Sequence, residues 1–265
     1  MSYIIMGNNQ NLKIKINENI YKEFFKIRNH NQELIDLNHK KNILIKDNFI
    51  NKSVPNIIRY YMTMNENADD IEINSILNKK NFIKNSNYND ILLNEDTEIN
   101  NSIALILESP HKAEFDYNSN NDLIPISPAQ GATGKNIENK LKELLMAIIN
   151  NHQIDALQNG SYKIIIINPI SFQTSLHFFH RRSLSDYHFK KLRDKVWQKF
   201  WEEDPKYKSN LSENLKRINP SLIINACTSN LSPLVQKYLE NHFKSKNLIS
   251  SYHPSAWIFN GFGLK

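Results

Sequence analysis

Four short apolar runs, separated by helical patterns, constrain the fold of this chain more than any other feature. The runs lie at residues 103–107, 164–167, 222–224 and 247–251. Short runs that are apolar at successive positions are typical of strands covered on both faces. The helical patterns, with apolar side chains at three- and four-residue steps, cover residues 136–149, 186–200 and 233–243. This alternation predicts an α/β fold: a three-layer α/β/α sandwich with a short, mainly parallel central sheet.

The first hundred residues have a different pattern of apolar and polar residues. Short apolar bursts there are separated by Asn-rich, charged stretches. The alternation at residues 12–16 predicts a strand, and residues 20–27 fit a helix. We therefore treat residues 1–100 as an amino-terminal flank of mixed structure and residues 101–265 as the α/β domain.

Composition excludes several classes of protein. With 265 residues, 40% of them hydrophobic, the chain can build a real core. Its single cysteine, Cys227, excludes an internal disulfide, a thiolate zinc site and a cysteine-ligated iron–sulfur cluster, and we interpret it as a small buried residue. No apolar run reaches the roughly 20 residues that span a bilayer, and no signal-peptide layout begins the chain. We expect a cytoplasmic protein without a membrane partner.

The net charge of +6 is compatible with a polyanionic partner. The chain is also dense in Asn, Ile and Lys. An A·T-rich genome produces the same bias, so the positions of the basic residues carry more weight than their number.

Polar turns follow all four predicted strands. Residues 108–115 follow the first strand, Asn168 and Pro169 the second, Asn225 the third and residues 252–257 the fourth. In open α/β sheets, ligands bind beyond the carboxyl ends of the strands. These turns therefore predict one composite site.

The turns, taken in order, resemble the motifs of the uracil-DNA glycosylase superfamily over about residues 101–257. LESP at 107–110 resembles the first motif, GEAPG in one branch and GQDPYH in another; PAQGATGKNIENKL at 128–141 resembles PFVGxAGxLL. IIIN at 165–168 resembles the strand that ends in the base-reading Asn, and HPS at 253–255 matches the HPS motif. Two residues depart from these patterns: Ser109 replaces the Asp of GQDPYH, and His111 replaces a small residue or Tyr. The cluster-binding cysteines of the GEAPG branch are absent.

The resemblance implies a monomeric DNA glycosylase without cofactor or metal, cytoplasmic or, in a bacterium, nucleoid-associated. Such an enzyme flips out uracil or another modified base and hydrolyses its N-glycosidic bond, in DNA repair or phage defence. Glu108 would orient the water and offset the sugar cation, and His253 would donate to the base oxygen. The base-binding residues implied are Asn168, Phe115, Tyr117 and His111.

Two segments predict phosphate contacts. The loop before the 136–149 helix offers backbone N–H groups at a helix start. It is not a Walker motif, because Ala129 and Asn136 stand where Gly and Ser or Thr are needed. Residues 177–201 interleave basic and aromatic side chains. The predicted phosphate contacts are Ser127, Gly131, Thr133, Gly134, Lys135, Ser255, Arg181, Arg182 and Lys190.

The family resemblance also concerns insertion into DNA. In that family the residue two places after the HPS serine enters the duplex as a wedge. Trp257 holds this position, so the resemblance implies that Trp257 is the wedge.

Each assignment has an ordinary structural alternative. Glu108 can be a solvated turn residue, His253 a satisfied structural histidine and Asn168 a turn cap. The loop at 131–136 can be a tight turn, the basic helix face a solvated surface, and Trp257 an anchor for the carboxyl-terminal tail.

Two other functions stay open. A non-catalytic DNA-binding relative is one, because Ser109 permits loss of water activation. A metal-dependent nuclease using Asp90, Glu108 and Lys112 is less favoured, since the Glu and the Lys are spaced too far apart to be adjacent on one face of a strand. A serine nucleophile at Ser109 lacks an adjacent base. The histidines of the 177–201 segment fit no zinc ligand set.

Overall fold

The computed structural model describes residues 12–15, 18, 22, 35–38, 42–65, 71–75, 99–117, 123–152, 157, 159–177 and 186–265. In chain order the strands and helices are β1 (Leu12–Lys15), β2 (Ile35–Asn38), β3 (Asn42–Ile45), α1 (Asp47–Ile50), β4 (Ile57–Met64), β5 (Ile71–Ser75), β6 (Asn101–Ile106), β7 (Phe115–Tyr117), β8 (Leu123–Pro125), α2 (Ala132–His152), β9 (Gly160–Ile167), α3 (Asp186–Glu203), α4 (Pro205–Ile218), β10 (Leu222–Asn225), α5 (Ser232–His242), β11 (Asn247–Ser250) and α6 (Trp257–Asn260). Among the described residues, 3₁₀ turns cover Lys112–Glu114 and Pro254–Ala256.

A six-stranded mixed sheet forms the centre of the fold, in the order β11-β10-β6-β9-β4-β5. The strands β11, β10, β6 and β9 are parallel. β4 is antiparallel to β9, and β5 is antiparallel to β4. The α/β class is therefore confirmed, and the four strands predicted from apolar runs form the parallel part of the sheet.

The two faces of the central strand β6 contribute to two different core clusters. Along β6, Ala104 and Ile106 belong to a core cluster that also holds apolar residues of α3, α4 and α5. Ile103 and Leu105 belong to a second cluster, which holds apolar residues of α2. Successive side chains of a strand point to opposite faces. A strand buried on both faces must be apolar at every position, which explains the uninterrupted runs.

The first hundred residues contribute to the same core. The predicted strand at 12–16 is confirmed as β1, which pairs with β3 in a three-stranded sheet. Ile14 and Ile43 join the cluster shared by α3, α4 and α5. The strands β4 and β5 extend the central sheet, so the sheet crosses the expected division at residue 100. Most of the helix expected at 20–27 lies outside the described residues.

Local signals position α4 beside the sheet. Asp204 caps its amino terminus by accepting the backbone N–H of Lys206 at 3.1 Å, and Pro205 occupies the first turn. Asn219, with φ of 44°, ends the helix in the left-handed conformation. In the described residues, no helix has the length and apolar character needed to cross a membrane.

Candidate functional site

Glu108 lies at the centre of the candidate site, directly after β6 and Leu107. Its side chain is buried, with 6% of the residue exposed. Oε1 lies 3.5 Å from Nη1 of Arg193, and Oε2 lies 3.5 Å from Nε2 of His253. The backbone N–H of Thr228 donates to Oε2 at 3.2 Å. A buried carboxylate needs such partners to remain charged. The turns after β6, β10 and β11 therefore meet at this carboxylate, together with α3.

His253 is held in one orientation by the turn that follows it. Its Nδ1 accepts the backbone N–H of Ser255 at 3.2 Å and lies 2.8 Å from the Ser255 hydroxyl. Because an N–H already points at Nδ1, the neutral imidazole carries its proton on Nε2, which faces Glu108. Nδ2 of Asn136, near the start of α2, donates to the carbonyl of Pro254 at 3.1 Å. The His253 turn is thus joined to α2.

Arg193 is the main site residue that the sequence did not identify. Its Nε and Nη2 donate to Oδ1 of Asp194 at 2.9 and 2.6 Å, and Nη2 also donates to the Thr228 hydroxyl at 3.2 Å. Asn230 in turn donates to Asp194 at 2.8 Å. One turn later on α3, Trp197 donates to the carbonyl of Glu108 at 2.7 Å. α3 therefore fixes both the side chain and the backbone of Glu108.

A second buried carboxyl, Glu114, ties two loops together beside the site. Its Oε1 accepts the backbone N–H of Ala129 at 2.9 Å, and its Oε2 accepts that of His111. Burial raises the pKa of Glu114 to about 8, although the backbone hydrogen bonds from His111, Ala129 and Gln130 act to lower it. The turn after β6 and the loop before α2 are therefore one unit. No motif contained Glu114, so the sequence did not identify this role.

The loop before α2 is closely packed. A Cβ on Gly134 would lie 1.8 Å from the carbonyl oxygen of Ala129, so only glycine fits there. Ser127 is 1% exposed, and its hydroxyl accepts a hydrogen bond from the Gln130 side chain. The structure corrects the phosphate assignment of the Ser127 hydroxyl, which is buried in the loop. Gly134 packs against Ala129, and contact of its backbone N–H with a phosphate stays a prediction. Lys135 is exposed.

The other residues of this region that are predicted to contact phosphate are at least partly exposed to solvent. Gly131 and Thr133 are half-buried. Ser255 is exposed, but both its hydroxyl and its backbone N–H are engaged by His253.

His111 is an exposed residue of the turn after β6, and the charge of Glu108 acts on its imidazole. Desolvation by the nearby protein is the largest influence and lowers the pKa of its imidazole below 6.5. The Lys112, Arg193 and His253 charges act in the same direction, and the Glu108 charge opposes them. The assignment of His111 as a base-binding residue stays a prediction.

The predicted base-binding residues do not all meet at Glu108. Asn168 is buried, its backbone N–H donates to Oδ1 of Asn56 at 3.0 Å, and it lines a cavity of about 210 Å³ shared with α4. Neither Glu108 nor His253 lines that cavity. Phe115 is 7% exposed and packs with Val54 and Leu123, so the structure corrects its assignment as a base-stacking residue. The side chain of Tyr117 lies outside the described residues.

Trp257 is part of the core, with 3% of the residue exposed. Its Nε1 donates to the carbonyl of Tyr252 at 2.6 Å and to the Ser251 hydroxyl at 3.1 Å. Its ring meets that of Phe262 edge-on, with centroids 5.8 Å apart. A side chain held in this way cannot enter a duplex without leaving the core. The structure therefore corrects the wedge assignment: Trp257 anchors the tail. Phe259, two residues later, is an aromatic side chain that is 83% exposed.

The basic side chains of α3 differ in their surroundings. Lys190 and Lys195 are exposed and have no ion-pair partner in the described part of the chain. Nζ of Lys191 lies 4.2 Å from the ring centroid of Tyr187, and Lys199 pairs with Glu203. Lys190 lies one helical turn before Arg193, so it reaches solvent near the site. The other predicted contacts of this segment, Arg181 and Arg182, lie outside the described residues, as does Asp90 of the nuclease alternative.

The cluster has the groups for acid–base chemistry. It holds a fixed carboxylate, an imidazole whose Nε2 carries a proton, and a guanidinium. The hydroxyl of Ser109 is hydrogen-bonded to that of Thr174 at 2.7 Å, and burial raises the pKa of the Cys227 thiol. Neither is arranged as an activated nucleophile. Across the described residues, no three His, Cys, Asp or Glu side chains are grouped as metal ligands.

Comparison of the chain with family models, with curated proteins and with solved structures gave no match.

Proposed function

We propose that this protein is a DNA glycosylase of the uracil-DNA glycosylase type, which excises uracil or another modified base and leaves an abasic site. The contact between Glu108 and His253 carries the proposal. It lies beyond the carboxyl ends of parallel strands, where open α/β sheets bind their ligands. The proposal includes a three-layer α/β/α arrangement, supported by α2 against one core cluster and α3, α4 and α5 against the other. It also includes a monomeric, cytoplasmic protein.

The two side chains divide the proposed reaction between them. The bond between C1′ of the sugar and the base nitrogen breaks, its electron pair leaves with the base, and water supplies hydroxide to C1′ and a proton to the base. The Glu108 carboxylate offsets the positive charge on the sugar, while Nε2–H of His253 donates to the base oxygen as negative charge gathers there. In the free protein this N–H faces Glu108 at 3.5 Å, a long contact that a base oxygen would replace.

Surface groups around the pair support a DNA partner. Lys190 and Lys135 are exposed on α3 and at the start of α2. The hydrogen bond from Asn136 to Pro254 holds the start of α2 beside the His253 turn. Exposed lysines near a site supply the salt-dependent part of DNA affinity. Phe259 adds an exposed aromatic ring that could pack against bases or sugars.

A base-release assay tests the proposal. Purified protein is incubated with duplex oligonucleotides containing uracil and with modified phage DNAs, and the released base is identified by mass spectrometry. We expect a free base and strand breaks only after alkali, because excision leaves an abasic sugar. Activity should persist in EDTA. Strand cleavage that requires magnesium would contradict the proposal and favour a nuclease.

A non-catalytic DNA-binding relative is the second candidate. The surroundings of Glu108 support this candidate. Both carboxylate oxygens already have partners, and little of the residue is exposed. A carboxylate engaged in this way has less freedom to orient a water. DNA binding without release of any base, from the full substrate panel, would favour this candidate over the enzyme.

A further inference from the structure

Residues 262–265 run antiparallel beside the end of β11. The backbone N–H of Ser250 donates to the carbonyl of Lys265 at 2.9 Å, and the N–H of Lys265 donates back to the carbonyl of Ser250 at 3.0 Å. The N–H of Tyr252 donates to the carbonyl of Phe262 at 2.7 Å. The 262–265 segment therefore pairs with one edge of β11, which has β10 as its neighbour on the other edge.

The register of this pairing shifts by one residue at Gly263. Ser250 is opposite Lys265, whereas Tyr252 donates to Phe262 and not to Gly263, as a regular ladder would require. Gly263 has a φ of 57°, in the left-handed region that favours glycine. A Cβ on Gly263 would lie 2.5 Å from Cε2 and Cζ of the Tyr252 ring. Glycine at this position therefore lets the ring of Tyr252 lie against the backbone of the segment.

The same segment holds Trp257, on the other side of His253. The ring of Phe262 meets the indole edge-on, with centroids 5.8 Å apart. Phe262 and Leu264 pack against the core cluster that contains Trp257. The indole N–H in turn donates to the carbonyl of Tyr252 at 2.6 Å. The 262–265 segment therefore contacts the chain both before and after His253.

These contacts determine where the imidazole of His253 lies. Tyr252 directly precedes His253, and both of its backbone polar groups are engaged: the N–H by Phe262 and the carbonyl by Trp257. The backbone from which the His253 side chain projects is therefore fixed. Nε2 of His253 lies 3.5 Å from Glu108, and a misplacement of about 1 Å is enough to impair a catalytic contact.

We propose that the 262–265 segment positions His253 against Glu108, with Gly263 against the Tyr252 ring as its closing contact. Gly263 is a positioning residue, because it acts on His253 through Tyr252. The proposal goes beyond base excision, since it concerns the geometry of the pair and holds for any chemistry there. A segment that only covered the core would affect stability and leave the contact between Glu108 and His253 unchanged.

Nitrogen NMR of the imidazoles tests this positioning. The chain has nine histidines, and the His253 signal is identified by its loss in His253→Ala. Glu108→Gln should shift the His253 Nε2 signal, because the two side chains are in contact. In the Gly263→Ala background the added methyl group forces the segment away from the Tyr252 ring, and Glu108→Gln should shift the signal at most about half as much. The measurement needs no substrate, so an inactive glycosylase would leave the result unaffected.

The Tyr252→Ala background provides the matched control. Gly263→Ala introduces the same backbone strain there, but the added methyl group has no ring to meet. Gly263→Ala should therefore reduce the response of His253 to Glu108→Gln when Tyr252 is present and leave it unchanged when Tyr252 is Ala. A response that Gly263→Ala does not reduce, even at a lowered melting temperature, would overturn the proposal, and so would an equal reduction in both backgrounds.

Discussion

The carboxylate of Glu108 lies 3.5 Å from Nε2 of His253, although β10 separates their strands, β6 and β11, in the sheet. The turn after β10 fills the gap, because the backbone N–H of Thr228 donates to the same carboxylate oxygen. Parallel strands bring their carboxyl ends to one edge, so three turns that are distant in sequence share one carboxylate. The contact between Glu108 and His253 therefore depends on the order of the strands in the sheet.

Removing either member of this pair should slow excision. We expect Glu108→Gln and His253→Ala each to lower the single-turnover rate by about 100-fold or more, because each removes charge or proton donation needed at the transition state. The matched controls are Glu143→Gln and His242→Ala, which alter exposed residues on α2 and α5. Near-wild-type rates in both site variants would show that the pair is structural.

Arg193 should contribute to stability as well as to the site. Arg193→Gln leaves the buried carboxylates of Glu108 and Asp194 without their shared cation, so we expect a loss of about 3 kcal/mol in unfolding free energy. Urea denaturation at pH 7 measures it. Arg217→Gln is the control, since Arg217 is exposed on α4 and should change stability by less than about 0.5 kcal/mol. Equal effects of the two substitutions would contradict the assigned role of Arg193.

The exposed lysines of α3 should contribute to DNA affinity without sequence preference. Lys190→Gln with Lys195→Gln should weaken binding to all duplexes alike and reduce the salt slope by up to about 0.9 per lost phosphate contact. Lys199→Gln should have a smaller effect, because Lys199 already pairs with Glu203. Binding isotherms at several salt concentrations check this, and an unchanged slope in the double variant would make this face an ordinary solvated surface.

Glu114 should make stability depend on pH. Its pKa rises from 4.5 to about 8 on folding, so between these values the folded protein holds a proton that the unfolded chain has released. The contribution of Glu114 to stability is therefore largest below about pH 4.5. As the pH rises from there to about 8, the free energy of unfolding falls by at most about 1.4 kcal/mol per pH unit. Glu114→Gln should flatten this fall, whereas Glu143→Gln should not. Denaturation curves from pH 5 to 8 decide the matter, and identical slopes in wild type and Glu114→Gln would refute it.

Substitutions of Trp257 and Phe259 should distinguish a role in core packing from a role in DNA contact. Trp257→Ala creates a cavity and removes two hydrogen bonds, so we expect a loss of about 3–5 kcal/mol of stability. Phe259→Ala removes an exposed ring and should change stability by less than about 0.5 kcal/mol while weakening duplex binding. Thermal melts and duplex binding are measured for both. A large stability loss from the Phe259 variant would show that this ring belongs to the core.

The local pattern of the sequence was enough to predict the α/β class and the parallel strands. A strand buried on both faces must be apolar at each position, and an amphipathic helix must repeat every three or four residues, so both leave a signature within a dozen residues. The same pattern located the polar turns at the strand ends, including Glu108 and His253. Pairing of β4 with β9 was not predicted, because partner choice between strands leaves no comparable local signature.

Only the tertiary structure decided which side chains form the site. Arg193 follows Leu192 at the border of the apolar face of α3, and nothing within the helix distinguishes it from the lysines that face solvent. Glu114 is buried because two loops close over it, and Trp257 because the tail folds back onto its indole. Burial and charge pairing depend on elements distant in sequence. Periodicity along the chain therefore determined the framework, and contacts across the framework determined its chemistry.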